Sequence, residues 1–166
     1  MDEQKIIELI RKTGKWGLIV ILLLIFFFSS FRAVSPGTIK VVTRVGQVTG
    51  RVLHPGANFI IPFFEGTLVY NTKKVIYETT SAEKQKGSQA DYKDFPVDTN
   101  TKDGQQVDVY YTVRFSIDPS KATWVAQHIG SEDALVEKIV KTDSRIWVRN
   151  VAREYEANEL YTGNVE

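Results

Sequence analysis

The spacing of hydrophobic positions changes twice along the chain and divides it into three parts. An apolar run extends from Gly17 to Phe31 and is broken only by two serines. After Ser35 the apolar residues are largely β-branched and alternate with polar ones, which is typical of strands. From Asp118 onward the apolar residues recur every three or four positions, which is typical of helices. The pattern predicts an apolar N-terminal helix, then strands, then helices, and so an α+β fold.

The apolar run is short for a membrane span, but its flanks are those of an anchor. Its residues cover about 22 Å as a helix, whereas a hydrocarbon core is about 30 Å thick. A helix over residues 16–34 begins at an interfacial tryptophan and reaches about 28 Å. A cleaved secretion signal is the alternative, but Pro36 follows the small-residue pattern at Ala33 to Ser35 and disfavours cleavage. We therefore expect a retained single-pass anchor. The residues expected to anchor it are Trp16, Leu18, Ile19, Leu22, Phe26, Phe28 and Phe31.

Basic residues on the two sides of the run favour a cytoplasmic N-terminus, because four precede it and three follow it. The domain after the anchor would then lie on the far side of the membrane. Residues 1–15 are predicted to form either a short amphipathic helix on the membrane surface or a mobile tail. The basic residues counted are Lys5, Arg11, Lys12 and Lys15 before the run, and Arg32, Lys40 and Arg44 after it.

The strand pattern is clearest from Val107 to Ile117, where apolar and polar residues alternate strictly. The dipeptide Asp103-Gly104 precedes this run and predicts a hairpin turn. The segment 35–118 is therefore predicted to be β-rich and 119–166 helical. Ser131 is expected to cap the longer C-terminal helix. Its predicted apolar stripe comprises Leu135, Val136, Ile139, Val140, Ile146, Trp147, Val151 and Tyr155.

Composition and motifs offer no active site. The 21 basic and 20 acidic residues leave a formal net charge of +1, without the basic bias that nucleic-acid binding usually requires. The chain has no cysteine, and neither His54 nor His128 lies in a catalytic or metal-binding motif. We expect a protein that is not an enzyme and that binds neither a cofactor nor a metal. A membrane-anchored hydrolase is the least favoured alternative.

An aromatic cluster around Pro62 is the first candidate functional feature. Proline is unsuited to a central strand, and the cluster does not alternate. Two interpretations remain open: contact with the lipid interface, or packing into the core of the domain. The candidate membrane-contacting residues are Phe59, Ile60, Ile61, Phe63 and Phe64.

Four cations spaced four residues apart form the second candidate. They share one face of the predicted helix. This face is either solvated or packed against acids of a neighbouring copy, for which Asp108 and Glu132 are candidates. The candidate subunit-interface residues are Lys141, Arg145, Arg149 and Arg153.

Three segments together resemble the SPFH (band 7) family of stomatin, prohibitin, flotillin and the HflK and HflC proteins, with prohibitin and HflC closest in texture. They are "VSPGTIKVVTRVGQVTGRVLHPGANFIIPF", "VDTNTKDGQQVDVYYTVRFSIDP" and "RIWVRNVAREYEANELYTG". Family members usually continue into a long coiled coil, which this chain does not include before its last residue, Glu166.

The resemblance implies an SPFH domain over residues 35–166 and a scaffold that assembles laterally into rings or cages. The implied partners are copies of the chain, a paralogous subunit, membrane lipids and a membrane AAA protease of the FtsH type. The implied location is a bacterial inner membrane, with an organelle inner membrane as the alternative. A membrane-tethered adaptor that forms no closed ring is the second functional hypothesis.

Overall fold

The computed structural model describes residues 3–80 and 88–162, with side chains described from residue 14 onward. The amphipathic character predicted for the N-terminal tail therefore lies outside the described residues. The backbone of most of that tail belongs to the first helix, α1, at Glu3–Ser30. Among the described residues, no helix combines the length and the hydropathy that a membrane span requires.

Helix α1 ends four residues before the predicted boundary at Val34. The chain turns directly into strand β1 (Phe31–Val34), which pairs antiparallel with β4 (Gly56–Phe59). Val34 is buried against the core, so strand pairing and burial replace the last predicted turn of helix. Phe31, which was expected on the helix, lies in β1 opposite Phe59.

In the described parts of the chain, ten strands form four small sheets. Strand β2 (Thr38–Arg44) lies between β3 (Gln47–Leu53) and β5 (Glu65–Asn71), all antiparallel. Strand β6 (Val75–Thr79) pairs parallel with β7 (Tyr92–Asp94) and antiparallel with β10 (Thr112–Phe115). Strands β8 (Val97–Asn100) and β9 (Gln106–Val109) form the predicted hairpin.

The core lies on both faces of β2. Ile39 and Val41 pack with Tyr70 and with the helix that follows the strands. On the other face, Val42 packs with a second cluster that includes Val34. A strand that is buried on both sides carries an apolar run instead of a strict alternation, as "IKVV" does.

The alternating run from Val107 to Ile117 is two strands, not one. Its first part pairs with β8 and its second part with β6, and Tyr110 and Tyr111 lie between them. The alternation itself is confirmed, because the odd-numbered side chains are more buried than their neighbours throughout. The strand breaks where it changes partner.

The C-terminal third contains four α-helices within the residues described up to 162. After a 3₁₀ turn at Pro119–Lys121 come α2 (Ala122–His128), α3 (Glu132–Leu135), α4 (Lys141–Ala152) and α5 (Ala157–Thr162). The predicted Ser131 cap is confirmed, since its hydroxyl accepts a hydrogen bond from the Ala134 amide.

A π-helical segment, Val136–Val140, joins α3 to α4. A π turn holds an extra residue and so rotates every later side chain by about 100° around the axis. The predicted apolar stripe is therefore wrong at Ile146 and Trp147. These two side chains are exposed, and Val148 and Ala152 are buried in their place. Ile139, within the π-helical segment, is also exposed, whereas Val151 and Tyr155 are partly buried.

Candidate functional site

The connection between β4 and β5 exposes large apolar side chains. We call residues 61–64 the apolar loop. The Phe63 side chain is 90% exposed, and Ile61 and Phe64 are also exposed. Phe63 has a φ of 69°, a left-handed conformation that costs a non-glycine residue roughly 1–2 kcal/mol. The loop is closed by a 2.9 Å hydrogen bond from the Glu65 amide to the Ile61 carbonyl.

The residues before the apolar loop divide between core and surface. Ile60 is only 3% exposed and packs with Val34, Val42 and Leu53, so its predicted lipid contact is wrong. The side chain of Phe59, which precedes it in the chain, is half-exposed. Successive side chains of an extended chain point to opposite sides, which places Phe59 outward and Ile60 inward.

Glu65 fixes the base of the apolar loop. Its buried carboxylate accepts a 2.9 Å hydrogen bond from the Ile61 amide and a 2.7 Å bond from Arg44, and Arg51 lies 3.5 Å away. The Ile61 amide and the Arg44 guanidinium outweigh the effect of burial and hold the pKa of Glu65 below its ordinary value. The carboxylate is therefore ionised at neutral pH.

Val45, which the sequence analysis did not identify, extends this apolar surface. It occupies the turn between β2 and β3 with a φ of 47°, and its side chain is 81% exposed. Its amide donates a 3.1 Å hydrogen bond to the Phe64 carbonyl, which joins the turn to the apolar loop. A β-branched residue where a tight turn favours asparagine or glycine was the available signal.

The apolar loop begins beside the end of α1. The Ile60 amide donates a 2.9 Å hydrogen bond to the Ser30 carbonyl, and the Ser30 hydroxyl donates to the Ile60 carbonyl. The Phe59 ring lies 6.1 Å from that of Phe27 and 5.8 Å from that of Phe31. Three residues of chain span at most about 11 Å, so Phe63 stays near the last turn of α1.

The predicted anchor residues are exposed in this structure. Each side chain from Trp16 to Phe28 is exposed, so α1 carries apolar groups around its whole circumference there. Those that were predicted as anchor residues on α1 are Trp16, Leu18, Ile19, Leu22, Phe26 and Phe28.

The four cations spaced four residues apart divide into two pairs. Lys141 and Arg145 contact the carboxylate of Asp94 within the same chain, at 3.3 and 3.4 Å. Arg145 also donates to the carbonyls of Phe95 and Pro96. These two cations therefore fasten α4 to the segment that follows β7.

The second pair of cations, Arg149 and Arg153, forms no ion pair with any described residue. Of the acids considered as their partners, Asp108 is exposed. Glu132 is buried and accepts hydrogen bonds from Asn71, so its predicted role opposite a neighbouring copy is wrong.

Asp94 is the centre of the α4 attachment. Burial alone would raise its pKa, but hydrogen bonds from Tyr77, from the Phe95 amide and from Lys141 hold the pKa below its ordinary value. An acid whose pKa is depressed on folding stabilises the fold above its unfolded pKa. That stabilisation is lost as the pH falls through the folded value.

Asp94→Asn is expected to lower the free energy of unfolding by about 1–2 kcal/mol at pH 7, because charge-assisted bonds to the partly buried Lys141 and Arg145 are lost. The deficit should shrink below about pH 4, where the unfolded wild-type aspartate becomes protonated. Urea unfolding of both proteins at several pH values measures it. Asp143→Asn on the exposed face of α4 is the control. A deficit that persists unchanged at pH 2 would contradict the assignment.

The described residues contain no group of three histidine, aspartate or glutamate side chains placed to hold a metal ion. The candidate features among the described residues are the exposed apolar side chains and the exposed basic side chains.

The SPFH domain / Band 7 family model matches residues 32–166. A search of curated proteins finds no match. The matched region begins in β1, one residue after Phe31, and includes all the described strands and helices that follow β1. Band 7 domains belong to membrane-associated scaffold proteins that are generally not enzymes. The family match and the order of strands and helices agree: this chain is a member of the SPFH domain / Band 7 family.

Proposed function

We propose that this protein is a non-enzymatic membrane scaffold. Helix α1 serves as a retained anchor over the predicted segment 16–34, of which Phe31 to Val34 continue as β1. The domain lies on the membrane through the apolar loop and Val45. The observation that carries the proposal is the placement of these exposed side chains beside the end of α1. Solvent-exposed aromatic side chains beside an apolar helix fit a membrane surface.

Lateral assembly with further copies is the second part of the proposal. Arg149 on α4 and Arg153 directly after it form no ion pair with a described residue, and Ile146 and Trp147 of α4 are exposed. Between neighbouring copies, the exposed apolar side chains supply affinity, and the unpaired arginines fix how one copy aligns with the next. In this proposal the copies form rings or cages that organise a membrane patch and limit the access of an FtsH-type protease. A paralogous subunit would use the same surface.

Particle size tests the assembly. The wild-type chain, extracted in mild detergent, should run as large particles in electron microscopy and size-exclusion chromatography. Arg149→Glu with Arg153→Glu should shift them toward small particles and leave the protein in the membrane fraction. One exposed ion pair contributes only ~0–1 kcal/mol, so the effect must sum over repeated interfaces. Raised salt should mimic it in part.

Arg114→Glu in β10 is the matched control, because it reverses an exposed arginine outside α4. Lys141 and Arg145 are left intact because they hold α4 to its own domain. Unchanged particle size in the Arg149→Glu and Arg153→Glu double variant would show that these two arginines belong to a solvated face. Small wild-type particles would favour the alternative, a membrane-tethered adaptor that forms no closed ring.

A further inference from the structure

Two arginines flank the apolar loop and share one buried carboxylate. Arg44 ends β2 and Arg51 lies within β3, and both contact Glu65. The Glu65 side chain is 2% exposed, whereas those of Arg44 and Arg51 are 55% and 47% exposed. The carboxylate is therefore hidden beneath two guanidinium groups that face outward.

The charges in this cluster do not cancel. Two guanidinium groups against one carboxylate leave one positive charge at the surface. A guanidinium has five N–H donors. Arg44 uses one on Glu65, and Arg51 donates one hydrogen bond to the Phe59 carbonyl. Their other donors form no hydrogen bond within the described part of the chain.

The position of this pair follows from its contacts. Arg51 binds the carbonyl of Phe59, whose ring touches Phe27 in the last turns of α1. Arg44 directly precedes the exposed Val45. When the apolar loop and Val45 lie in the lipid interface, as in the proposed function, both guanidinium groups lie at the edge of the apolar surface. This edge is at the depth of the lipid phosphate groups.

We propose that Arg44 and Arg51 bind the phosphate of an anionic phospholipid headgroup, so that this domain prefers negatively charged lipid. The proposal rests on the proposed function, in which the apolar loop lies on the membrane. Guanidinium groups suit this ligand because their paired donors match phosphate oxygens and because they are weakly hydrated. Glu65 acts as a positioning residue that holds both guanidinium groups in place. Arg32 is not part of this pair, because the arginines that share Glu65 are Arg44 and Arg51.

The selectivity of the protein for anionic over neutral lipid tests the proposal. The full chain is reconstituted in phosphatidylcholine vesicles with a trace of spin-labelled phosphatidylglycerol or spin-labelled phosphatidylcholine, and the protein-bound fraction of each is determined. One uncompensated basic residue near a bilayer favours anionic lipid about fivefold. The Arg44 and Arg51 cluster is therefore expected to raise the ratio about fivefold. Arg44→Gln with Arg51→Gln removes both cations and leaves the Glu65 carboxylate, so the ratio should fall at least about fivefold below the wild-type value. High salt should lower the wild-type ratio.

Three further variants separate the explanations. Arg114→Gln removes an exposed arginine of β10 and should keep the wild-type ratio. Arg44→Lys with Arg51→Lys keeps the charge but loses the paired donors, and should give an intermediate ratio. If the double glutamine variant fails to fold because Glu65 is left unpaired, the triple variant that adds Glu65→Gln removes that buried charge. It loses the net positive charge of the cluster and should lower the wild-type ratio about fivefold.

The chain has no cysteine, so a spin label on Val45→Cys reports the depth of the loop separately. A label in water in every vesicle would overturn the proposed function. A label in the interface with the same ratio in the wild type and in the double glutamine variant would overturn the lipid proposal alone. Loss of selectivity on adding millimolar inorganic phosphate at constant ionic strength would identify a site for soluble phosphate instead, and would also overturn it.

Discussion

Glu65→Ala is expected to lower the free energy of unfolding by about 3 kcal/mol. Removing one partner of a buried ion pair costs about 3–5 kcal/mol, and the lower end applies because Arg44 and Arg51 are half-exposed and regain water. The change also leaves the Ile61 amide without its acceptor, at a cost of about 1–3 kcal/mol that overlaps with the first. Urea unfolding followed by tryptophan fluorescence measures the difference.

Glu65→Gln separates the two causes. Its side-chain oxygen still accepts from the Ile61 amide, whereas its charge is gone, so we expect about half of the alanine effect. Glu154→Ala, an exposed glutamate after α4, is the control and should change stability by less than about 0.5 kcal/mol. A Glu65→Ala variant as stable as this control would show that the carboxylate does not hold the apolar loop.

Phe63→Asp with Phe64→Asp is expected to lift the apolar loop from the membrane. Removing a large apolar side chain from an apolar environment costs roughly 1.5–3 kcal/mol, so two such changes shift the equilibrium between inserted and lifted loop by at least about 100-fold. Both side chains are exposed, so the fold should keep its stability. A spin label on Val45→Cys, whose amide bonds to Phe64, should move from lipid to water.

The control for this pair is Phe95→Asp. Phe95 is an exposed phenylalanine between β7 and β8, outside the apolar loop, and its substitution should leave the label at its original depth. The experiment uses the full chain because Val34 of β1 packs in the core with Ile60, so a fragment starting at Ser35 would lose part of that core. If the double aspartate variant unfolds, the two phenylalanines belong to the core after all.

Local interactions made several features predictable. The hairpin of β8 and β9 follows from alternation around Asp103-Gly104, and Gly104 has the expected positive φ of 82°. The Ser131 cap needs only partners within three residues. The aromatic cluster was also recognised from sequence. The sequence could not predict whether Ile60 or Phe63 would be buried. Their burial depends on packing against β1 and β2 and not on neighbours in the chain.

The sequence by itself determined the order of an apolar helix, strands and helices, together with their turns and caps, because spacing and capping act over a few residues. Tertiary structure decided where α1 ends, since the pairing of β1 with β4 sets that point. It also decided that Arg145 pairs with Asp94 and that Arg44 and Arg51 share Glu65. Such pairs join residues far apart in the chain, and their formation depends on packing and burial that no local pattern records.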